Sequence, residues 1–414
     1  MRSSSPAAAV PAWRRDATLM ALVGGAHSIS HFSQLMLAPL FPWLKDAFGV
    51  GFAELGFLLT IFFVVSCVIQ TLSGFWVDRF GPRPVLIAGL ALLGVAALGY
   101  AASTSYAMLA AFSVVAGVGN GVFHPVDYSL INRKVAKARL GHAYSVHGVT
   151  GSLGWALAPA LLVPVTVAFS WRVALVCAAV LVFAVLAVLV AMRRHLELEP
   201  LPPAAKMGSD GAATEGSLDF LRIPAVWMCF GFFFFYAGAL SVIQTFAPAA
   251  AGRLHAVPPG LAAMCLTVYM VCSAGGMIAG GFLASDHERS ERIVGVGFGI
   301  AAVVALVLGY AALSSALVPV LFGVMGFVTG TAGPSRDIIV KRAAPENATG
   351  RVYGVVYSGL DIGQAVVPLA IGHLMDLQQY ASVFLALALL QGVLIVNAFS
   401  VRRVRRTAGV PAAA

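Results

Sequence analysis

GFWVDRFGPRPVL, residues 74–86, is a short charged stretch between two long apolar runs. Asp78, Arg79 and Arg83 are costly in hydrocarbon, so they mark where the chain leaves the bilayer and re-enters it. Gly74 can let a neighbouring helix approach. Gly81 supplies the backbone freedom for a tight turn, and Pro82 suits the first turn of the next helix, where its missing N–H costs nothing. The flanking runs, 54–75 and 83–102, are each long enough to cross a bilayer as a helix, which takes about 20 residues. The stretch therefore predicts a loop joining two antiparallel transmembrane helices.

Outward from it the same pattern recurs. The chain of 414 residues is 60% hydrophobic and only 10% charged, whereas a soluble domain is about 25% charged. The apolar runs predict twelve spans, at 18–40, 54–75, 83–102, 107–130, 141–164, 171–192, 225–248, 259–284, 292–313, 317–340, 350–374 and 380–401. They lack the ten-residue alternation of a membrane barrel. The first run reads as a span and not as a signal peptide. It is too long, carries His27, His31 and Gln34, and has no small-residue cleavage site before the next span. All five cysteines fall inside the predicted spans and read as small apolar packers, with no disulfide implied.

The net charge of +9 is sorted by side and is no signal for nucleic acid. With the loops alternated from a cytoplasmic N-terminus, 22 of the 26 Lys and Arg fall inside. Lys45, Arg172 and Arg253 fall outside, and Arg336 lies within a span. That distribution predicts both termini in the cytoplasm.

Residues 195–217 are polar, acidic and rich in Pro and Gly, and read as a cytoplasmic linker. The expected organisation is an N-tail (1–17), a six-helix bundle (18–194), the linker (195–217), a second six-helix bundle (218–401) and a C-tail (402–414). The halves repeat. Gly117/Gly326, Pro125/Pro334, Gly141/Gly350, Tyr144/Tyr353, Gly154/Gly363 and Pro159/Pro368 are all 209 residues apart. Repeated Gly and Pro repeat bends and close helix contacts. An even number of spans gives both halves one orientation, so they are related by an axis along the membrane normal. The predicted fold is all-α and integral to the membrane: twelve helices in two bundles about a pseudo-twofold, with the substrate site between them near the midplane.

Residues 74–86 now carry a resemblance. A Gly, three residues, Asp-Arg, one residue, Gly and then basic residues is similar to the signature loop of the major facilitator superfamily. The resemblance implies secondary transport by alternating access. It also implies that Asp78, Arg79 and Arg83 latch the halves together on the cytoplasmic face. Pro82 stands where a basic residue is common, which leaves that latch fewer donors. Phe123-His124-Pro125 and SVHGVTGSLGWALAP (Ser145 to Pro159) resemble the fosmidomycin-resistance branch of bacterial efflux proteins. Gly151, Gly154 and Pro159 also resemble the Gly/Pro motif of drug/proton antiporters, with Ala158-Pro159 in place of Gly-Pro.

Polar residues inside spans are the candidate site, because each must face the bundle interior or a wet cavity. His27, His31 and Gln34 share one face of span one at i, i+4, i+7. His31 lies roughly 20 Å from the start of that span, near mid-membrane. It can bind an anion, shuttle a proton, or simply pack against a neighbouring helix. The i, i+4 pair suits zinc, but no Glu follows His27 and no Cys or acid cluster lies nearby, so no metal or cofactor is predicted. Asn120, His124 and Asp127 repeat the spacing on span four, where Pro125 predicts a bend. Asp127 maps onto Arg336 across the pseudo-twofold, so the two are expected to form a cytoplasmic gate pair, the alternative being local partners for each. Arg336 could instead hold a substrate carboxylate or phosphonate.

Asp361 shares a stripe with Tyr357 and Gln364 on span eleven. In low-dielectric surroundings a carboxyl can load and release a proton near neutral pH. Asp361 is the first expected proton carrier, with His31 and Asp127 behind it. Substrate contacts are expected from His27, His31, Gln34, Asn120, His124, His147, Trp155, Arg336, Tyr357 and Gln364.

An enzyme is not expected, since no nucleophile elbow or cofactor loop occurs. GVGNG (117–121) and GVGFG (295–299) lie within spans as packing glycines, and no Gly-Lys dipeptide is present for a phosphate loop. The sequence predicts a monomeric, proton-coupled exporter of a small, possibly anionic molecule in a bacterial inner membrane. The alternative is a proton symporter importing an organic anion. The partners are substrate, protons and lipid.

Overall fold

The structure, a computed structural model, describes residues 11–136, 139–198, 224–283, 290–343 and 350–407. Over 336–343, 350–357 and 400–407, and at isolated positions including Asp78, it describes the backbone alone. All regular structure among these residues is helical. The first half runs α1 (Ala12–Gln34), a short α2 (Phe41–Phe48), α3 (Phe52–Phe80), α4 (Pro82–Ala102), α5 (Tyr106–Asn120), α6 (Phe123–Lys134), α7 (Leu140–Ala168) and α8 (Trp171–Ala191). The second half runs α9 (Pro224–Thr245), a short α10 (Ala247–Leu254), α11 (Pro259–Leu283), α12 (Ser290–Tyr310), α13 (Leu317–Ala343), α14 (Gly350–Asp376) and α15 (Tyr380–Thr407). With α5 and α6 stacked as one crossing, each half holds six membrane crossings. Among the described residues, ten crossings are apolar enough to span a bilayer on composition alone. α1 is not among them, and it is loaded with His27, His31 and Gln34.

Local chemistry sets the boundaries. Gly81 caps α3 at φ +80°, a left-handed value that disfavours a Cβ, and Pro82 opens α4. Pro125 cannot donate to the carbonyl of Gly121, and the helix breaks there into α5 and α6. The Ser73 hydroxyl donates to that freed carbonyl at 3.2 Å. The glycines of residues 117–121 pack helices as expected. A Cβ on Gly117 would stand 2.6 Å from the Phe62 carbonyl oxygen, and one on Gly121 2.6 Å from that of Ser66. Gly74 differs from expectation: nothing lies within 4 Å of a Cβ there, so it holds no helix close in this conformation. The predicted first span also runs too far. It ends at Gln34, and residues 38–48 form a 3-10 turn and the separate helix α2, because Pro39 and Pro42 interrupt the ladder. Residues 195–198, predicted as linker, are fastened to the first half. Leu196 is buried, Lys134 donates to the carbonyls of His195 and Glu197, and Arg83 pairs with Glu197.

The halves meet along two seams, α3 with α14 and α7 with α11. Both seams carry the same contact. The Thr60 hydroxyl donates to the Ala365 carbonyl at 2.5 Å in one, and that of Thr267 to the Ala156 carbonyl at 3.2 Å in the other. Ala156 and Ala365 are 209 residues apart, so the repeat legible in the sequence is a repeat of interface geometry. The first seam is closely packed at the end away from the chain termini. There Asp376, the last residue of α14, accepts hydrogen bonds from the Phe52 and Ala53 amides at 2.7 and 2.9 Å, capping α3 from across the seam. Gly372 permits the approach, since a Cβ on it would stand 2.8 Å from the Phe52 carbonyl oxygen. At the terminus end, Tyr128 and Tyr144 of the first half are exposed.

Candidate functional site

The site is built where α7 presses against α1. A Cβ on Gly154 would stand 2.2 Å from the Ser28 carbonyl oxygen, so only glycine allows this approach. One turn away, a Cβ on Gly151 would stand 2.8 Å from Nδ1 of His31 and 3.1 Å from Nε2 of His27. The glycine pair of α7 thus clears volume for the imidazoles of α1. Into that volume α6 brings Asp127 and α7 brings His147, all buried.

Asp127 Oδ2 lies 3.0 Å from His27 Nδ1 and 3.1 Å from His147 Nε2. The two imidazoles stack on each other with centroids 3.5 Å apart. His124 stands edge-on to His27 at 5.4 Å, and His31 is tilted against it at 4.4 Å. Four histidines and one carboxylate therefore share one buried pocket in the first half. Asp127 Oδ1 and Nδ1 of His124 have no hydrogen-bond partner there, an expensive condition for buried polar atoms. Ring nitrogens of His27, His124 and His147 all lie within 4.8 Å of one another.

Polar neighbours extend the cluster in two directions. His31 lies against Trp155 at 4.2 Å, and the Trp155 indole N–H donates to Gln34 Oε1 at 2.9 Å. Asn120 ties three helices, accepting from the Ser30 hydroxyl at 2.7 Å and donating to that of Ser66 at 2.9 Å. Tyr128 stacks against His124 at 5.9 Å and lies 5.4 Å from His147. Being 41% exposed, it leads from the pocket to the surface at the terminus end.

The structure thus brings together His27, His31, Gln34, His124, Asp127, His147 and Trp155, with Asn120 bracing them. Asp361 and Gln364 stand apart, on α14. The Asp361 carboxyl lies against the Cys67 thiol of α3, in the first seam. Arg336, Tyr357 and Asp78 have side chains outside the described residues. Asp127 meets His27 and His147 of its own half, and the Arg336 side of the expected gate pair lies outside the described residues. Arg83 likewise turns to Glu197 within its half, and Arg79 lies over the Phe80 ring. The sequence reading missed Ser30, Ser66, Tyr128 and Asp376. The two serines sit in spans without a charge to flag them. Asp376 reads as an ordinary helix-end acid, and its partner lies 324 residues away. A cavity of about 330 Å³ lies elsewhere, at the far end between the halves, lined by Trp43, Lys45, Gln244 and Arg253 among others, and shares none of the cluster's residues.

Comparison with known proteins agrees with this architecture. Fosmidomycin resistance protein of Escherichia coli (strain K12) is 24% identical over 371 residues, covering 84% of this chain and 86% of its own. Hexuronate transporter of Bacillus subtilis (strain 168) is 22% identical over 407 residues, covering 93% of each. Among solved structures, a bacterial homolog of the human lysosomal transporter Spinster, in an inward-facing and occupied conformation, superposes with a TM-score of 0.73 at 14% identity. That match covers 95% of this chain and 98% of the other. The family pattern itself matches twice, over residues 23–318 and 233–414, and the chain belongs to the Major Facilitator Superfamily.

Proposed function

We propose that the protein is a proton-coupled exporter of a small anionic molecule, working by alternating access in a bacterial inner membrane with both termini in the cytoplasm. The observation that carries this reading is the place of Asp361. Its carboxyl sits in the seam whose far end is closed by Asp376 and Thr60. A charge between two apolar helices is costly, whereas a neutral carboxyl is tolerated. Loading a proton on Asp361 therefore favours the closed seam, and releasing it favours separation and access of water. That links one proton to the choice of open side, which is the requirement of coupled transport. Among the expected substrate contacts, His124 and Trp155 lie together in the first half around His31, and Gln364 stands on α14 of the second. The likeness to a protein named for fosmidomycin resistance supports outward movement.

A second reading is proton symport importing an organic anion. The likeness to a hexuronate transporter over 93% of each chain supports it.

Proteoliposomes with an acidic lumen and a lumenal pH dye separate the two. Export by antiport gives substrate-dependent alkalinisation of the lumen with substrate moving inward against the proton. Symport carries both outward together. Asp361→Asn abolishes the proton signal in either case. Substrate movement with no proton signal in the unmodified protein sinks the coupling.

A further inference from the structure

We propose that His27, His124, His147 and Asp127 form a binding site for one divalent transition-metal ion of the zinc type. Span one offers only an i, i+4 histidine pair, too few ligands for a metal. The fold supplies the remainder from α6 and α7, so that three imidazoles converge from three helices, with the Asp127 carboxylate against two of them.

The geometry is close to what such an ion needs. Zn–N and Zn–O bonds of about 2.0–2.2 Å in a tetrahedron place neighbouring ligand atoms about 3.2–3.6 Å apart. Asp127 Oδ2 stands 3.0 Å from His27 Nδ1 and 3.1 Å from His147 Nε2, and the imidazole ligand atoms lie within 4.8 Å of one another. Small ring rotations complete the approach. Two features go beyond an ordinary hydrogen-bonded acid. One oxygen of Asp127 faces both rings, while the other oxygen and Nδ1 of His124 have no partner. His27 and His147 stack at 3.5 Å, a separation at which two imidazolium cations would repel strongly. A carboxylate with neutral imidazoles is the donor set that a divalent cation satisfies. Imidazole ligands select zinc, copper, nickel and iron-type ions over magnesium and calcium, which take oxygen. His31, between the His27 ring and Trp155, fixes the orientation of the ligand behind it. The site lies beside the open surface at Tyr128, so the ion has an entry path.

The test is direct binding and does not depend on the transport reading. The full-length chain, purified without a polyhistidine tag and stripped with chelator, is titrated with Co(II) and then Zn(II). The expected result is a single ion per chain, a visible cobalt band of a four-coordinate nitrogen–oxygen site, and loss of that band on adding zinc. His124→Ala and His147→Ala each weaken binding by roughly tenfold or more. His195→Ala, in the exposed 3-10 turn after α8, leaves it unchanged. If His147→Ala fails to fold, the spectrum of the unmodified protein and the His124→Ala variant decide. The absence of a four-coordinate cobalt band, or binding that survives His124→Ala, overturns the proposal.

Discussion

Removing the Asp376 carboxylate should loosen the far-end closure by one to two orders of magnitude. Asp376 accepts from the Phe52 amide at 2.7 Å and the Ala53 amide at 2.9 Å, two donors that the first turn of α3 cannot satisfy internally. Hydrogen bonds to a charged group contribute about 1.5–3 kcal/mol each, net of water. The side chain is 27% exposed, so water competes and the lower end applies. The negative charge at the positive end of α3 adds about 0.3–1 kcal/mol. Lys45 lies 3.7 Å away, and its half-exposed pair contributes at most about 1 kcal/mol. The two bonds are not additive once one breaks, so Asp376→Ala should cost about 1.5–3 kcal/mol of closure. At 1.4 kcal/mol per decade this is roughly a 10- to 100-fold rise in opening. Hydrogen exchange reads it directly, through faster exchange of the amides at 52–53 in Asp376→Ala and a smaller change in Lys45→Met. Unaltered protection in Asp376→Ala, or an equal effect from Lys45→Met, would refute the assignment of closure to this cap.

Other outcomes follow from the same geometry. Gly154→Ala should lower thermal stability by about 1–3 kcal/mol, because its Cβ would sit 2.2 Å from the Ser28 carbonyl oxygen, while Gly148→Ala, with nothing within 4 Å, should be neutral in the same melt. Asn120→Ala removes bonds to Ser30 and Ser66 and should cost about 1–2 kcal/mol, since interhelical hydrogen bonds in membranes average near 0.6 kcal/mol each. Thr60→Val removes the donor to the Ala365 carbonyl and should raise exchange at 52–53 by less than Asp376→Ala does.

The fold was legible because its determinants are local. Twelve apolar runs, Gly81 before Pro82, and Pro125 in span four each act on the residues beside them, and each acts as read. The pairing of spans was legible through the 209-residue offset, since glycines repeated at one spacing repeat helix contacts. The stripes of His27 with His31 and of His124 with Asp127 were visible as helix faces. Their meeting with His147 was not, because it depends on the rotation of α7 about α1. Gly154 and Gly151 set that rotation through backbone clearances that no periodicity reveals. The histidine partners of Asp127 were not legible for a related reason: the twofold pointed to Arg336, whereas contact with His27 and His147 depends on how α1, α6 and α7 pack.

Where the repeat is broken is itself informative. Ala156 and Ala365 accept the same threonine hydrogen bond in the two seams. A short step along each helix, the equivalent positions are Ser152 and Asp361. Ser152 meets the Met277 sulfur at 3.9 Å across α7 and α11, while Asp361 meets the Cys67 thiol across α3 and α14. At this position the two seams share a scaffold and differ by an ionisable group. A neutral hydroxyl serves packing equally well, as Ser152 demonstrates, so packing alone gives no reason for an acid at the second position. Asp361→Ser makes the seams chemically alike. A packing acid predicts that this variant closes and moves substrate with its proton stoichiometry intact. A coupling acid predicts a folded protein in which substrate still crosses but the lumenal pH dye no longer responds.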